Sequence, residues 1–331
     1  MWIPLILLAC TAKDVEPEHP RARYSHLGAL DEAGEQLYIA GGSDEDGKII
    51  DAWRFDLAAQ TWEQLPDPPE PIFRATIARY DGDFYLFGGT VEGNLDSDRL
   101  YRWASADGSW TLLEPSGGPP PPRFKAASVV VGDQLWVHGG RYNDGDEDII
   151  RDDLWAYDFA ANTWTELAPV DSPAINRHGV VWDEARGAVW VHAGISPERR
   201  GDWLYQVDTT TLTWTEVDQG DTLPPERASH SVHLVDGRIL AWGGYDEENR
   251  VWAFDPGTGT DAGTWGGWDY TGGPIIRDAH VSDITPDGGT FIIMGGDTFR
   301  IEEPEFMADV WSFDFASSTW TELWANPEEE E

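Results

Sequence analysis

The sequence has few of the residues that would cross-link it or bind it to polyanions. Its 331 residues contain one cysteine, Cys10, so no disulfide can form within the chain. Basic residues number 22 against 61 acidic ones, the formal net charge is −39, and lysine occurs only at positions 13, 48 and 125. Because so acidic a surface repels nucleic acid and anionic lipid headgroups, we expect neither nucleic-acid partners nor direct binding to a membrane surface.

Long apolar segments are also scarce, and residues 2–9 are too few to span a bilayer. They predict the core of a secretory signal. The run ends in Leu-Leu-Ala-Cys, which resembles the lipobox of bacterial lipoproteins. This resemblance implies a signal peptide at 1–9, lipidation of Cys10, a lipidated tether at 10–20 and, with Thr11 next, anchoring to the cell envelope at the outer membrane. A plain cleaved signal and a misplaced start codon are the alternatives.

No long segment has a helical period, whereas short alternating segments bounded by Gly, Asp and Asn are frequent. Residues 123–167 predict four strands, at 123–131, 134–138, 153–158 and 162–167. Because four strands alone cannot bury both faces of one sheet, a stable fold requires further copies of this unit.

The unit recurs six times, with four markers in constant order and a period of about 50 residues. Arginines open the first strand at Arg23, Arg74, Arg123, Arg177, Arg227 and Arg277. Two small residues follow at Gly41-Gly42, Gly88-Gly89, Gly139-Gly140, Ala193-Gly194, Gly243-Gly244 and Gly295-Gly296. A third strand recurs at 51–56, 98–103, 153–158, 202–208, 250–255 and 309–314, and a tryptophan at Trp62, Trp110, Trp164, Trp214, Trp265 or Trp268, and Trp320.

This order of markers resembles the kelch repeat over residues 21–324. The resemblance implies an all-β fold, a six-bladed β-propeller of four-stranded antiparallel blades with the first strand innermost. The blades fall at about 21–66, 72–114, 122–168, 176–218, 226–269 and 276–324, and residues 325–331 are expected to be an acidic disordered tail. All blades hold their strands in sequence order, so we expect the first and last to meet without sharing strands.

In the kelch family, the loop entering the innermost strand and the loop after the glycine pair share one mouth of the ring. The resemblance therefore points to ligand-binding candidates at Arg23, His26, Arg74, Arg123, Arg141, Tyr142, Asn143, Arg177, Arg227, His230, Tyr245, Asp246, Arg277, His280 and Asp297. A ring of arginines would suit a protein loop or an acidic glycan, because the guanidinium fork matches carboxylates. Alternatively, an arginine repeated in every blade bonds a neighbouring backbone or pairs with an acid. We expect His138 and His192 to be packing residues.

Cofactor and catalytic signals are weak. Loops 43–51 and 143–148 place oxygen ligands around a glycine, as calcium loops do, but neither has the full spacing, so we predict no cofactor and keep calcium as an alternative. Cys10 lies outside the ring, which excludes the cysteine-dependent chemistry of the copper-radical galactose oxidases. The sequence thus predicts a monomeric, non-catalytic binding scaffold. A carbohydrate-active enzyme similar to the sialic acid mutarotases is the alternative, and a purely structural surface protein is a third possibility.

Overall fold

The computed structural model describes residues 18–143, 145, 148–244, 250–257, 263–298 and 305–325. Within these ranges the chain forms six four-stranded antiparallel sheets in sequence order. The first strands contact one another in cyclic order, and the last contacts the first, so they surround a central channel. The predicted six-bladed β-propeller with its first strands innermost is therefore confirmed.

Each blade is built from four consecutive long strands of the chain. Blades 1 to 3 comprise Leu27–Leu30, Gln36–Ala40, Ala52–Asp56 and Thr61–Leu65; Thr76–Tyr80, Asp83–Phe87, Leu100–Trp103 and Trp110–Leu113; and Ala127–Val131, Gln134–His138, Leu154–Asp158 and Thr163–Leu167. Blades 4 to 6 comprise Gly179–Asp183, Ala188–Ile195, Arg200–Asp208 and Trp214–Glu216; Ser231–Val235, Arg238–Trp242, Arg250–Asp255 and Thr264–Asp269; and Val281–Ile284, Thr290–Asp297, Phe306–Asp314 and Thr319–Trp324.

Short elements lie in the loops between the second and third strands of the first three blades. They are the hairpins Ser43–Asp44 with Gly47–Lys48 and Arg141–Asn143 with Asp148–Ile150, and the 3₁₀ turn Glu92–Asn94. In the described ranges, no helix is long and apolar enough to cross a membrane. The predicted signal peptide, most of the tether and most of the acidic tail lie outside the described residues.

Six apolar clusters form the core, one between each pair of neighbouring blades. The cluster between blades 6 and 1 joins Ile39 and Trp53 to Ile292 and Met294, so the same packing that separates other blades also closes the ring. Alternation along each strand supplies these contacts, because successive side chains point to opposite faces of the sheet. In blade 5, Trp265 faces Phe254 across the third and fourth strands, which settles its register.

Two rings of backbone hydrogen bonds also join neighbouring blades. Each sheet contains the strands of one blade only, so no blade contributes a strand to the sheet of another. In the first, the second residue of each small pair donates its N–H to the next blade, in the bonds Gly42 to Ile72, Gly89 to Arg123, Gly140 to Ile175, Gly194 to Arg227, Gly244 to Arg277 and Gly296 to Arg23. The second links Ser25 to Ala279, Arg74 to Ser25, Lys125 to Arg74, Arg177 to Lys125, Ser229 to Arg177 and Ala279 to Ser229. Closure therefore rests on packing and hydrogen bonds, as the lack of disulfides requires.

The second glycine of the pair is required by crowding. Gly42 has φ of +96°, and a Cβ there would lie 2.7 Å from the Cβ of His26. Blade 4 carries Ala193 in place of the first glycine, at φ of +55°, in the left-handed region that costs an L-residue about 1–2 kcal/mol. The ring tolerates this departure at one blade.

Candidate functional site

The six repeated arginines occupy two different structural positions. In the first hydrogen-bond ring, the accepting carbonyl belongs to arginine in four blades but to Ile72 in blade 2 and Ile175 in blade 4. Arg74 and Arg177 lie two residues further on and belong to the second ring. The arginines thus do not form one ring at the mouth, contrary to the simplest prediction from their spacing.

The four arginines of the first position are inside the blades. Arg277 has a 1% exposed side chain, donates from Nε to the Ile275 carbonyl at 2.9 Å, and forms a two-point ion pair with Asp309. The same pattern recurs in the pairs Arg23 with Asp51 and Arg123 with Asp153. Arg227 is equally buried and donates to the carbonyls of Pro225 and Gly243. A ligand cannot reach these guanidinium groups, so Arg23, Arg123, Arg227 and Arg277 are removed from the candidate ligand contacts.

The two blades without a buried arginine also lack its acidic partner. At the position of Asp153, blade 2 has Arg99 and blade 4 has Trp203. Trp203 donates from Nε1 to the Ala193 carbonyl at 2.9 Å, the carbonyl that the arginine reaches in other blades. Blades 2 and 4 thus lose charge and counter-charge together, as expected if the pair stabilises the blade, whereas blade 5 keeps Arg227 with Arg250 at the position of Asp153.

The accessible charge lies in the channel, in a cavity of about 170 Å³. Its outer layer comprises Ser25, Arg74, Lys125, Arg177, Ser229 and Ala279, and its inner layer comprises His26, Ala75, Ala126, His178, His230 and His280. The three cations of the outer layer come from the adjacent blades 2, 3 and 4, and are partly exposed. The channel therefore has one cationic side and one side with small neutral side chains.

The cations of the outer layer act strongly on one another. Burial, together with the positive charges of Arg177 and Arg74, lowers the pKa of Lys125 to about 6, against a smaller opposing effect of Asp278. Burial and the charge of Arg177 also lower the pKa of Arg74, while Tyr24 raises it. A site in which positive charge is this unfavourable has a strong electrostatic preference for an anion.

The inner layer is uncharged at neutral pH. Burial lowers the pKa of all four channel histidines, to about 3 for His178 and His280. Each ring packs against the residue before the small pair of the preceding blade: Nε2 of His178 lies 3.2 Å from His138, and Nε2 of His230 lies 2.9 Å from His192. His138 and His192 therefore pack in the blades. The Nδ1 atoms of the four channel histidines lack a hydrogen-bond partner in the described part of the chain.

The remaining described candidates follow the small pairs of blades 3 and 6. Arg141 pairs with Asp148 across its hairpin, and Tyr142 has the guanidinium of Arg151 5.6 Å above its ring. Asn143 donates its backbone N–H to Asp96 at 2.8 Å. Asp297 is 2% exposed and bonds the backbone of Asp278, while Tyr245 and Asp246 lie outside the described residues.

Two carboxylates of the acidic loop 43–51, those of Asp44 and Asp51, already have partners within the protein. Asp44 accepts the N–H groups of Asp46 and Gly47 and pairs with Arg21, and Asp51 pairs with Arg23. No group of three or more metal-ligating side chains occurs among the residues that the structure describes. Calcium at loop 143–148, the alternative to the predicted lack of a cofactor, is untested because residues 144, 146 and 147 are outside the described ranges.

Comparison with known proteins places this architecture in a family. A model described as "KLHDC2/KLHL20/DRC7 Kelch-repeats domain" matches residues 7–180 and 169–330, so the chain belongs to the kelch-repeat family. Human "Multiple epidermal growth factor-like domains protein 8" is 28% identical over 69% of this chain and 9% of its own length. "Rab9 effector protein with kelch motifs" of Xenopus laevis is 29% identical over 54% of this chain and 51% of its own length.

A third relative, "Acyl-CoA-binding domain-containing protein 4" of Arabidopsis thaliana, is 24% identical over 72% of this chain and 37% of its own length. The chain thus spans about half or less of the length of these relatives. The solved "Structure of YjhT" superposes with a TM-score of 0.72 at 17% identity, covering 92% of this chain and 99% of that one, and shares the fold. The Xenopus laevis relative is by its name an effector of Rab9.

Proposed function

We propose that this propeller is a binding scaffold that takes an anionic group of its ligand into the central channel, between Arg74, Lys125 and Arg177. The observation that carries the proposal is that three partly exposed basic residues of adjacent blades line one cavity of about 170 Å³. Arginine recognises carboxylates through paired hydrogen bonds. The repulsion among these basic groups, which helps to lower the pKa of Lys125 to about 6, is relieved when an anion binds.

The ligand is a protein loop or an acidic glycan that inserts its carboxylate and leaves the rest on the rim. The rim beside Arg74 is aromatic: its guanidinium lies 4.2 Å from the Phe73 ring and 5.7 Å from that of Phe124. Tyr24 packs edge-on against Phe73 at 5.4 Å and stacks on Phe306 at 5.2 Å. Phe73 and Phe124 are buried, whereas Tyr24 and Phe306 are partly exposed. Tyr24 and Phe306 can therefore offer apolar contact beside a charged centre, which suits a protein loop or the face of a sugar.

An enzyme acting on an acidic sugar is the second candidate. The Nδ1 atoms of the channel histidines, which lack partners in the described part of the chain, favour it because they could take or give a proton. A general base works best with a pKa near the operating pH, and burial holds the pKa of His178 and His280 near 3. We therefore place binding first. Turnover of any acidic sugar that binds would reverse this order.

The test of the binding function is a screen of the mature chain against acidic peptides and acidic glycans, each with a neutral analogue. We expect binding of the acidic members only, and weaker binding at high salt because the partners are partly exposed charges. A bound anion raises the pKa of Lys125 above its free value of about 6, so affinity should increase as the pH is lowered towards about 6 and level off below it. Equal binding of neutral analogues, or no binding in either class, would contradict the proposal.

We also propose that the chain is exported and lipid-anchored through Cys10 to the bacterial envelope. The support is the apolar segment 2–9 that ends at the only cysteine. Cys10→Ser is expected to abolish incorporation of labelled fatty acid and to move the protein from the membrane fraction to the soluble fraction. Thr11→Ser is the matched control and should remain membrane-bound. Wild-type protein without lipid label would refute the anchor.

A further inference from the structure

The backbone of Lys125 is strained, and hydrogen bonds to both neighbouring blades fix its place in the channel. Its backbone has φ of +55°, in the left-handed region that lysine rarely adopts. Its N–H bonds the Arg74 carbonyl at 2.8 Å, and its own carbonyl accepts from the N–H of Arg177 at 3.0 Å. The backbone of the lysine is therefore held between those of the two channel arginines, and all three residues line the same cavity.

The amine differs from an ordinary surface lysine. Burial and the charges of Arg177, Arg74 and Arg141 lower its pKa to about 6, while Asp278 opposes them. His178, which lines the same cavity, is neutral because burial lowers its pKa to about 3. The Lys125 amine is thus mostly uncharged at neutral pH, the state in which a lysine is nucleophilic.

Lys48 provides an internal comparison within the same protein. Its ammonium donates to the Val91 carbonyl at 2.8 Å and to Asn94 at 2.6 Å, so it joins the loops of blades 1 and 2. Lys48 has hydrogen-bonded partners that keep its amine occupied, whereas Lys125 faces a cavity beside two guanidinium groups.

We propose that Lys125 forms a reversible imine with a carbonyl compound that also carries a carboxylate, of the 2-oxo acid class. Arg74 and Arg177 hold the carboxylate, which places the adjacent carbonyl carbon within reach of the amine. The inference deepens the proposed function and rests on it, since it requires that the channel cations recognise a carboxylate. It adds a covalent step that simple binding does not need.

The step balances without any oxidant or reductant. The lone pair of Nζ forms a bond to the carbonyl carbon, and the π electrons of the C=O bond move to oxygen, which takes a proton from solvent. The nitrogen releases a proton, and the hydroxyl of the resulting carbinolamine then leaves as water after protonation. Amine and carbonyl thus become imine and water, and hydrolysis reverses the step.

Reductive trapping tests this step in the full mature chain. Pyruvate is added with sodium cyanoborohydride, and the modified residue is located by intact mass and peptide mapping. We expect one reduced adduct, at Lys125, with a rate that falls as the pH is lowered below about 6, where the amine is protonated. Lys125→Arg should lose the adduct and Lys48→Arg should keep it. Because the map is read on the wild type, the result stands even if a variant fails to fold.

Lactate separates the two proposals, because it carries the carboxylate and a hydroxyl but no carbonyl. Lactate binding to the wild type without any pyruvate adduct at Lys125 would overturn the imine and leave the proposed function standing. Absence of both lactate binding and the adduct would count against both. Equal labelling of Lys48 and Lys125 would also overturn the imine, because it would show only general amine reactivity.

Discussion

Replacing Asp309 with alanine is expected to lower the free energy of unfolding by about 3–5 kcal/mol, because it leaves the buried charge of Arg277 without its counter-charge. Both side chains are enclosed, at 1% and 9% exposure. Asp309 also accepts a hydrogen bond from Nε1 of Trp311 at 2.8 Å, so the variant leaves a second donor without its acceptor. Urea unfolding followed by tryptophan fluorescence measures the effect.

The chain supplies its own controls for this prediction. The double variant Arg277→Ile with Asp309→Ala should be more stable than Asp309→Ala alone, because blades 2 and 4 carry Ile72 and Ile175 at the arginine position. Glu63→Ala breaks the exposed pair with Arg54 and should cost less than about 1 kcal/mol. If Asp309→Ala costs no more than Glu63→Ala, the buried pairs do not stabilise the blades as described.

The second large effect is on binding. Arg177→Gln is expected to weaken binding of an acidic ligand by roughly ten- to a hundredfold, because a hydrogen bond between charged groups contributes about 1.5–3 kcal/mol. Arg177 lines the channel, is partly exposed, and comes from blade 4, on the other side of Lys125 from Arg74. Calorimetric titration of the variant at low salt with the ligand found in the screen measures the loss.

Two further variants show whether the effect is specific to the channel. Arg141→Gln should weaken binding less, because Arg141 does not line the channel cavity. Arg54→Gln, on the third strand of blade 1, should change nothing, since its side chain pairs with Glu63 outside the channel. Equal losses from Arg54→Gln and Arg177→Gln would indicate a general charge effect and refute a site in the channel.

The fold could be predicted from sequence because each repeated marker has a local cause. Gly42 must lack a side chain beside His26, and the alternating strands must fill the space between blades. The period of about 50 residues did not separate the buried arginines from the channel arginines. Arg74 and Arg177 stand only two residues beyond the position that the buried arginines occupy in the other blades. One signal was available: His178 directly follows Arg177, whereas His26 stands three residues after Arg23.

The clustering of basic residues on one side of the channel could not be predicted from the sequence pattern within any one repeat. Arg74, Lys125 and Arg177 are about 50 residues apart in sequence, and only ring closure brings them into one cavity. The pKa of Lys125 depends on burial and on charges from other blades, neither of which a sequence window contains. Candidate residues chosen from loops alone therefore included buried arginines and omitted Lys125.

A crystal structure of the chain with a bound acidic peptide or glycan would test the channel site most directly. The anionic group is predicted to lie in the cavity, within hydrogen-bond distance of Arg74 and Arg177 and next to the Lys125 amine. A ligand held only at the outer hairpin of Arg141, with nothing bound in the channel at saturating concentration, would contradict the account.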